Sequence, residues 1–380
     1  MNITFVTSDW GVTRSGIPTI PGGANWHRVR LPAMALAAAG HHVVIGHGVG
    51  GHKSGALVAL DHNGRILLHP QEEGGFADIV ICQRWMHADT NIAIRAARDC
   101  GQIVLQDIDD WFWGLDPRNA AHKSTAARAN REINREHYRK AAEASDGVIV
   151  STEFLGKRIR ERFGVQTYLA RNFVDEGLFA VQKVRHDPEQ LAVGWVGALA
   201  WRSGDLETMR GWLPQYLDEV DGLFVHNGIF GHDTPDDTAG SRAGVPAERF
   251  VPGASGAPPW DYPRLLMQGF DIGTVPLSVQ DFNSAKSWIK GLEYATAGIP
   301  FIAQRTREYE ALGAGLLAST PAEWLAAARA LADPEYREFQ AARGLAVAAE
   351  HGVKGGRAWV DLLARLLPPR GAETATLAAR

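Results

Sequence analysis

Asp107-Ile108-Asp109-Asp110-Trp111-Phe112-Trp113 crowds three carboxylates and two indoles together, directly after the β-type run Gln102–Gln106. Carboxylates this close repel one another, so the cluster implies an offsetting gain: a divalent cation, a basic ligand or a proton held in common. Asp107-x-Asp109 has the form of a metal-binding pair and is the candidate metal site, though not the favoured reading. Trp85, Trp111 and Trp113 follow strand ends, where an indole can either pack in the core or stack on the C–H face of a sugar. His87, two residues past Trp85, is a further cleft candidate.

The second constellation is Phe282-Asn283-Ser284-Ala285-Lys286-Ser287-Trp288-Ile289-Lys290-Gly291-Leu292-Glu293-Tyr294. It follows the strand-like run Asp271–Pro276 and opens a helix near Ser287, and a helix start presents unpaired N–H groups to an anion. Lys286 adds a full positive charge there. Glu293, about two turns on, can accept hydrogen bonds from sugar hydroxyls. The plainer reading is a capped surface helix with a solvated Lys and Glu. Gly22-Gly23 before an Ala-rich helix would let backbone approach a phosphate or sugar. Gly194-Trp195-Val196-Gly197 followed by Trp201-Arg202 offers a second close approach at Gly197 and a guanidinium able to clamp phosphate oxygens. Arg128, Arg131, Arg135 and Arg139 form a basic stripe interleaved with Glu132 and Glu136, either a helix laced with ion pairs or a site for an anionic acceptor.

The elements that must carry these residues alternate between short β-type runs and helices, as parallel α/β units do. Strands are expected at Asn2–Thr7, His42–Ile45, Ala77–Cys82, Gln102–Gln106, Asp146–Ser151 and Thr167–Ala170, then at Ala192–Val196, Leu223–His226, Arg249–Val251, Ile272–Val275 and Pro300–Ala303. Between the two series, Asp175–Leu191 loses periodicity and reads as a linker. Helices are expected at Ala24–Ala39, Thr90–Asp99, Ser124–Ala144, Glu153–Phe163, Asp205–Glu219, Pro259–Gly269, Ser287–Ala297 and Pro321–Leu331, with separate helices near Pro334–His351 and Gly356–Leu367. The expected architecture is α/β, with two Rossmann-like domains facing each other across a cleft. Residues 1–178 form an acceptor domain, 190–352 a donor domain, 353–367 a helix crossing back to the first, and 368–380 a loose tail. Ligands of open α/β sheets sit beyond the carboxyl ends of the strands, which places the site in that cleft.

Composition agrees. The chain has 380 residues, 45% hydrophobic and 22% charged, which suits a folded two-domain protein and excludes a disordered one. A net charge of −4 excludes a general nucleic-acid binder, though not a local basic patch. No apolar run reaches the roughly 18–20 residues of a membrane span, and Leu31–Ala39 lacks the flanks of a signal peptide. Two isolated cysteines, Cys82 and Cys100, point to a reducing, cytoplasmic setting.

The stretch Phe282–Pro300 resembles the donor-binding segment of GT-B glycosyltransferases of the group 1, family 4-like kind. Several of these read Phe-Asn-x-x-Lys-Ser-x-x-Lys-x-Leu-Glu-Tyr-x-Ala-x-Gly-x-Pro here. Gly22-Gly23, Ala170-Arg171-Asn172-Phe173-Val174-Asp175 and Gly194–Gly197 extend the resemblance over about residues 1–365. It implies transfer of a sugar from a nucleotide-diphosphate sugar to an acceptor hydroxyl, with no other cofactor. Lys286 and the Ser287 region would hold the diphosphate, joined by Arg202, Asn283, Lys290 and the glycines 22, 23 and 197, and Glu293 would bind the ribose. The wider family carries a further acidic residue at the place of Ala285, so that contact to the donor sugar has no counterpart. A subset of relatives also has an Asp-x-Asp-Asp run in the first domain. Asp109, then Asp110, is therefore the candidate to contact the reacting hydroxyl, as general base if configuration inverts or as an acceptor-orienting group if it is retained. The Asp-Asp-Trp variant also resembles some phage-encoded transferases, which adds a virion protein or a modified nucleobase in phage DNA to a glycan or a lipid as the expected acceptors. The competing classes are a sugar-nucleotide epimerase or hydrolase on the same fold, and a non-catalytic carbohydrate-binding protein.

Overall fold

The computed structural model describes residues 1–7, 10–12, 18–21, 23–47, 76–84, 90–119, 122, 131–179, 190–202, 204–228, 236–255, 257, 261–263 and 269–366. Runs such as Ile79-Val80-Ile81-Cys82 are buried on both faces, which is the pattern of parallel strands covered by helices on either side. Among the described residues, eight strands lie in the first half: β1 Asn2–Thr7, β2 Trp10–Val12, β3 Pro18–Pro21, β4 His42–His47, β5 Ile79–Gln83, β6 Ile103–Ile108, β7 Gly147–Val150 and β8 Thr167–Leu169. Six of them form a sheet in the order β4-β1-β5-β6-β7-β8, parallel throughout. The second half contributes β9 Ala192–Val196, β10 Leu223–Gly228, β11 Phe250–Ser255, β12 Ile272–Val275, β13 Phe301–Gln304 and β14 Leu316–Ala318. These build a second parallel sheet, β11-β10-β9-β12-β13-β14, whose order reverses at β9. Two Rossmann-like sheets thus stand in one chain, and each brings its loops to the carboxyl ends of its strands.

Four local expectations are corrected. The Gly- and Pro-rich segment after β1, where no strand is expected, contains an antiparallel pair, β2 with β3. β6 runs on to Ile108, so Asp107 lies within the sheet instead of beyond it. The helix expected over Asp205–Glu219 is two pieces, a 3-10 turn at Leu206–Met209 and a helix at Leu213–Glu219. Trp212 leaves helical geometry between them to bury its indole, stacked at 5.3 Å on Trp324, and Pro214 restarts the helix in its first turn. The two carboxyl-terminal helices are one, Pro334–Leu366.

That last helix spans both halves. Its middle packs on the helix Ile289–Thr296, with Ala348 in a cluster that also holds Trp288 and Leu292. Its end delivers Trp359, Leu362 and Leu363 into the core of the first sheet, beside Ile3, Phe5 and Ile81. A third cluster joins the halves directly: Phe282 and Ala285 sit among Ile108, Trp111, Phe112, Leu115 and Tyr138. No helix among the described residues is long and apolar enough to cross a membrane.

Candidate functional site

The carboxyl ends of both sheets converge, and the ionisable residues of the two halves meet there. On the first sheet, β5 ends at Gln83 and the chain turns through Arg84, which has φ of 50°, the left-handed region that non-glycine residues seldom occupy. The Arg84 Nε lies 3.8 Å from Asp109 Oδ1. On the second sheet, Gly197 and Arg202 follow β9, and the segment 276–286, with a helical turn at Asp281–Ser284, follows β12. The two strands are neighbours where the order reverses, the point at which open α/β sheets bind their ligands, and Arg202 and Lys286 follow them.

Lys286 reaches across to the first half. Its Nζ sits 2.6 Å from Asp110 Oδ1 and 4.2 Å above the Phe282 ring. Burial alone would raise the Asp110 carboxyl, but Lys286, with Arg84 and Arg202 further off, outweighs it and holds the group below the ordinary carboxylate value. The neighbouring Asp109 behaves oppositely. Burial, with the charges of Asp110 and Asp107, pushes it up to about 6 against the pull of Arg84 and Arg28. Two adjacent carboxylates therefore differ in proton affinity because only one has a lysine.

Glu293 is the second meeting point. The helix Ile289–Thr296 turns it inward, 4% exposed, where Oε2 accepts from Lys290 Nζ at 3.1 Å and Tyr262 Oη at 3.2 Å. Its Oε1 faces His27 Nε2 of the first half at 3.4 Å. Burial works against the charged form, yet Lys290 and His27 bring the carboxyl down to about 2. Burial in turn lowers the ammonium of Lys290, which also donates to Tyr262 Oη.

Asp107 takes no part in this open chemistry. It is fully buried, and Arg28 grips it through Nε at 3.2 Å to each oxygen and Nη2 at 2.5 Å. The same guanidinium donates to Ala170 O at 2.5 Å and Asn172 Oδ1 at 3.0 Å, and stacks 5.0 Å from Trp359. The Asp107/Asp109 metal pair does not fit, because the Asp107 oxygens are already committed. Among the described residues, no group of three or more His, Cys, Asp or Glu side chains is placed to hold a metal ion.

The remaining candidates divide. Ser287 Oγ accepts from Asn172 Nδ2 at 2.9 Å, just ahead of the helix that begins at Ile289. Asn283 does not face the cleft with its amide nitrogen. Nδ2 donates to Asp205 Oδ1 at 2.6 Å and Ser278 O at 2.9 Å, so its part is to brace the loop that carries Lys286. Arg202 Nη1 lies 3.9 Å from the same buried Asp205. Gly197 is packed by structure: its carbonyl accepts from His226 Nε2 at 3.1 Å, and a Cβ at Gly228 would lie 2.3 Å from that oxygen. Gly23 opens the first helical turn with free space where a Cβ would point. Trp111 is enclosed, 6% exposed, and its ring centroid is 4.8 Å from that of Trp113, which packs edge-on to Tyr138 and Phe163. This packing corrects the acceptor platform expected of Trp111, since its ring is spent on the contact between the halves. Gly22, Trp85, His87 and Arg128 lie outside the described residues, as does the Arg131 side chain. Arg139 is neutralised by Glu136 and Glu143 at 2.5 Å each, and Arg135 Nη2 donates to Phe112 O, so these two serve the fold.

Sequence reasoning missed His27, Arg28, Arg84 and Tyr262. His27 and Arg28 are a few residues past the Gly22-Gly23 pair, a weak pointer. Arg84 and Tyr262 carried no signal, because their roles arise only when distant loops converge.

No protein-family model and no curated protein matches the sequence, but solved structures match almost all of it. HepE of Anabaena, crystallised with UDP and with UDP and glucose, aligns at TM-score 0.60 and 14% identity over 96% of this chain and 100% of its own in the UDP complex. A glycosyltransferase from Rickettsia africae aligns at 0.62 and 9% identity, covering 97% and 98% of the two chains. WaaG, a glycosyltransferase involved in lipopolysaccharide biosynthesis, aligns at 0.56 and 14%, covering 93% and 98%. The fold of this chain is the GT-B fold of glycosyltransferases.

Proposed function

We propose that the protein is a glycosyltransferase that takes a sugar from a nucleotide-diphosphate sugar and passes it to an acceptor hydroxyl. The observation that carries this reading is the convergence of Lys286, Arg202 and Glu293 beyond the ends of β9 and β12, opposite Asp109 and Asp110, in a GT-B fold. Lys286 and Arg202 would meet the charge that develops on the departing diphosphate, so the leaving group needs no metal ion. Glu293, ionised and already aligned by Lys290 and Tyr262, would accept hydrogen bonds from the nucleotide ribose. Asp109 would accept from the acceptor hydroxyl. The first half then serves the acceptor and the second the donor, with closure excluding the water that would otherwise hydrolyse the donor.

The test is a thermal-shift screen of UDP-, GDP-, ADP- and dTDP-sugars on the intact chain, on Lys286→Ala and on Glu293→Ala. One nucleotide should raise the Tm of the wild-type chain, and that rise should vanish in both variants. A chain that no nucleotide sugar stabilises would sink the proposal. Donor turnover with no acceptor present would instead assign a hydrolase or epimerase.

A further inference from the structure

Lys286 is already occupied. Its ammonium, the group assigned above to the donor diphosphate, is held at 2.6 Å by Asp110, a residue of the opposite half. An entering diphosphate and Asp110 therefore compete for one cation. When Lys286 turns to the ligand, Asp110 loses its closest counter-charge while still next to Asp109. Both side chains are largely withdrawn from water, 19% and 15% exposed. With Arg84, 3.8 Å from Asp109, the near cation left beside the pair, two adjacent carboxylates in such a place carry more negative charge than their surroundings offset, and the least costly remedy is one proton taken up by the pair.

Resting on the donor reading above, we infer that binding of a diphosphate sugar at Lys286 is coupled to uptake of a proton from solvent by the Asp109–Asp110 pair. The charged surroundings favour it. The pair is faced by Arg84 after β5, by Arg28 and Asp107 beneath, by Arg202 after β9, and by the buried phenol of Tyr138 from the helix Arg131–Ala144. Arg28 is committed to Asp107 through three contacts, and Arg84 stands 3.8 Å from Asp109, so neither can replace Lys286 at Asp110 without leaving its place. The added diphosphate brings more negative charge to the same cleft and strengthens the demand. In the donor-bound state the pair is one carboxylic acid beside one carboxylate, and the carboxylate still accepts a hydrogen bond from an acceptor hydroxyl.

Calorimetry of sugar-nucleotide binding in buffers of different ionisation enthalpy tests this, using UDP-glucose, GDP-mannose and ADP-glucose. These diphosphate diesters have no proton of their own to exchange near neutral pH, so any uptake belongs to the protein. Wild type at pH 7 should take up roughly half a proton or more per donor bound. Asp110→Asn should abolish the uptake and also bind the donor roughly three- to tenfold more tightly, because the competing carboxylate is gone. A residue that merely touched the donor would give weaker binding on substitution. Asp109→Asn should lose the uptake as well. Binding by the wild-type chain with no uptake, or uptake that persists in Asp110→Asn, would overturn the coupling and leave the donor reading intact. Failure of these three donors and of a dTDP-sugar to bind would overturn both.

Discussion

Asp109 is costly where it stands. Its carboxyl has a proton affinity raised to about 6 by burial and by its two acidic neighbours, against about 4 in an unfolded chain. Between those values the folded protein binds a proton that the unfolded chain has released, so stability declines as pH rises through the window and the loss is complete by pH 7. Asp109→Asn should accordingly be more stable than wild type by about 1–3 kcal/mol at pH 7, while glycosyl transfer falls. The gain should shrink in melts at pH 4, where the wild-type side chain is itself neutral. An unchanged or lower Tm at pH 7 would show that Arg84 compensates the charge fully. At this scale the sequence was informative where one residue type has one use: Lys286, Glu293, Asp109 and Asp110 all come to the cleft. It was silent about their partners. Arg28 and Asp107 are 79 positions apart, and His27 and Glu293 lie on helices of different halves. Nothing local marks such pairs, since only the fold brings them together.

The carboxyl-terminal helix shows how a correct local rule can give a wrong element. Gly352 and Gly355 fall in the gap between the two helices expected there, and glycine is a poor helix former. In the structure the helix passes straight through them, and the missing side chains make room. A Cβ on Gly355 would lie 2.2 Å from Phe173 Cβ, and one on Gly352 2.3 Å from Glu176 Oε1. These glycines let the helix lie against the segment 173–176 as it returns to the first sheet. Gly355→Ala therefore pits a helix-propensity gain of about 1 kcal/mol against overlap with a buried neighbour, and overlap of that size costs about 1–3 kcal/mol. The variant should unfold at lower temperature than wild type; an equal or higher Tm would mean that Phe173 moves aside freely. The long, periodic elements were legible, with Thr90–Asp99, Glu153–Phe163, Ala192–Val196 and Ile272–Val275 bounded as expected. The short strands β2, β3 and β14 were not; β2 and β3 lie in a Gly- and Pro-containing stretch that shows no period to read.

At the scale of the whole molecule, the two halves are tied through one asparagine. Asn172 Oδ1 accepts from Arg28, its Nδ2 donates to Ser287 Oγ, and its carbonyl accepts from Trp288 Nε1 at 2.9 Å. Arg28 in turn holds Asp107, two positions before Asp109, while Ser287 follows Lys286. The residue thus links the backbone beneath the acidic pair to the backbone that carries the lysine. Thr152 Oγ1 on Ala285 O and Arg171 on Glu308 brace the same seam from the side. Substituting Asn172 by Ala keeps the carbonyl bond but leaves a buried guanidinium N–H short of an acceptor, a loss of about 1–3 kcal/mol. Because Arg28 and Ser287 lie on opposite halves, the effect should reach both. Amide hydrogen exchange in Asn172→Ala should quicken in residues 23–30 and in residues 286–296 together, and transfer should slow as Lys286 loses its register with Asp110. Faster exchange confined to one of those segments would mean that the link is a local brace, and that the other contacts between the halves, among them Phe282 and the carboxyl-terminal helix, hold them in register.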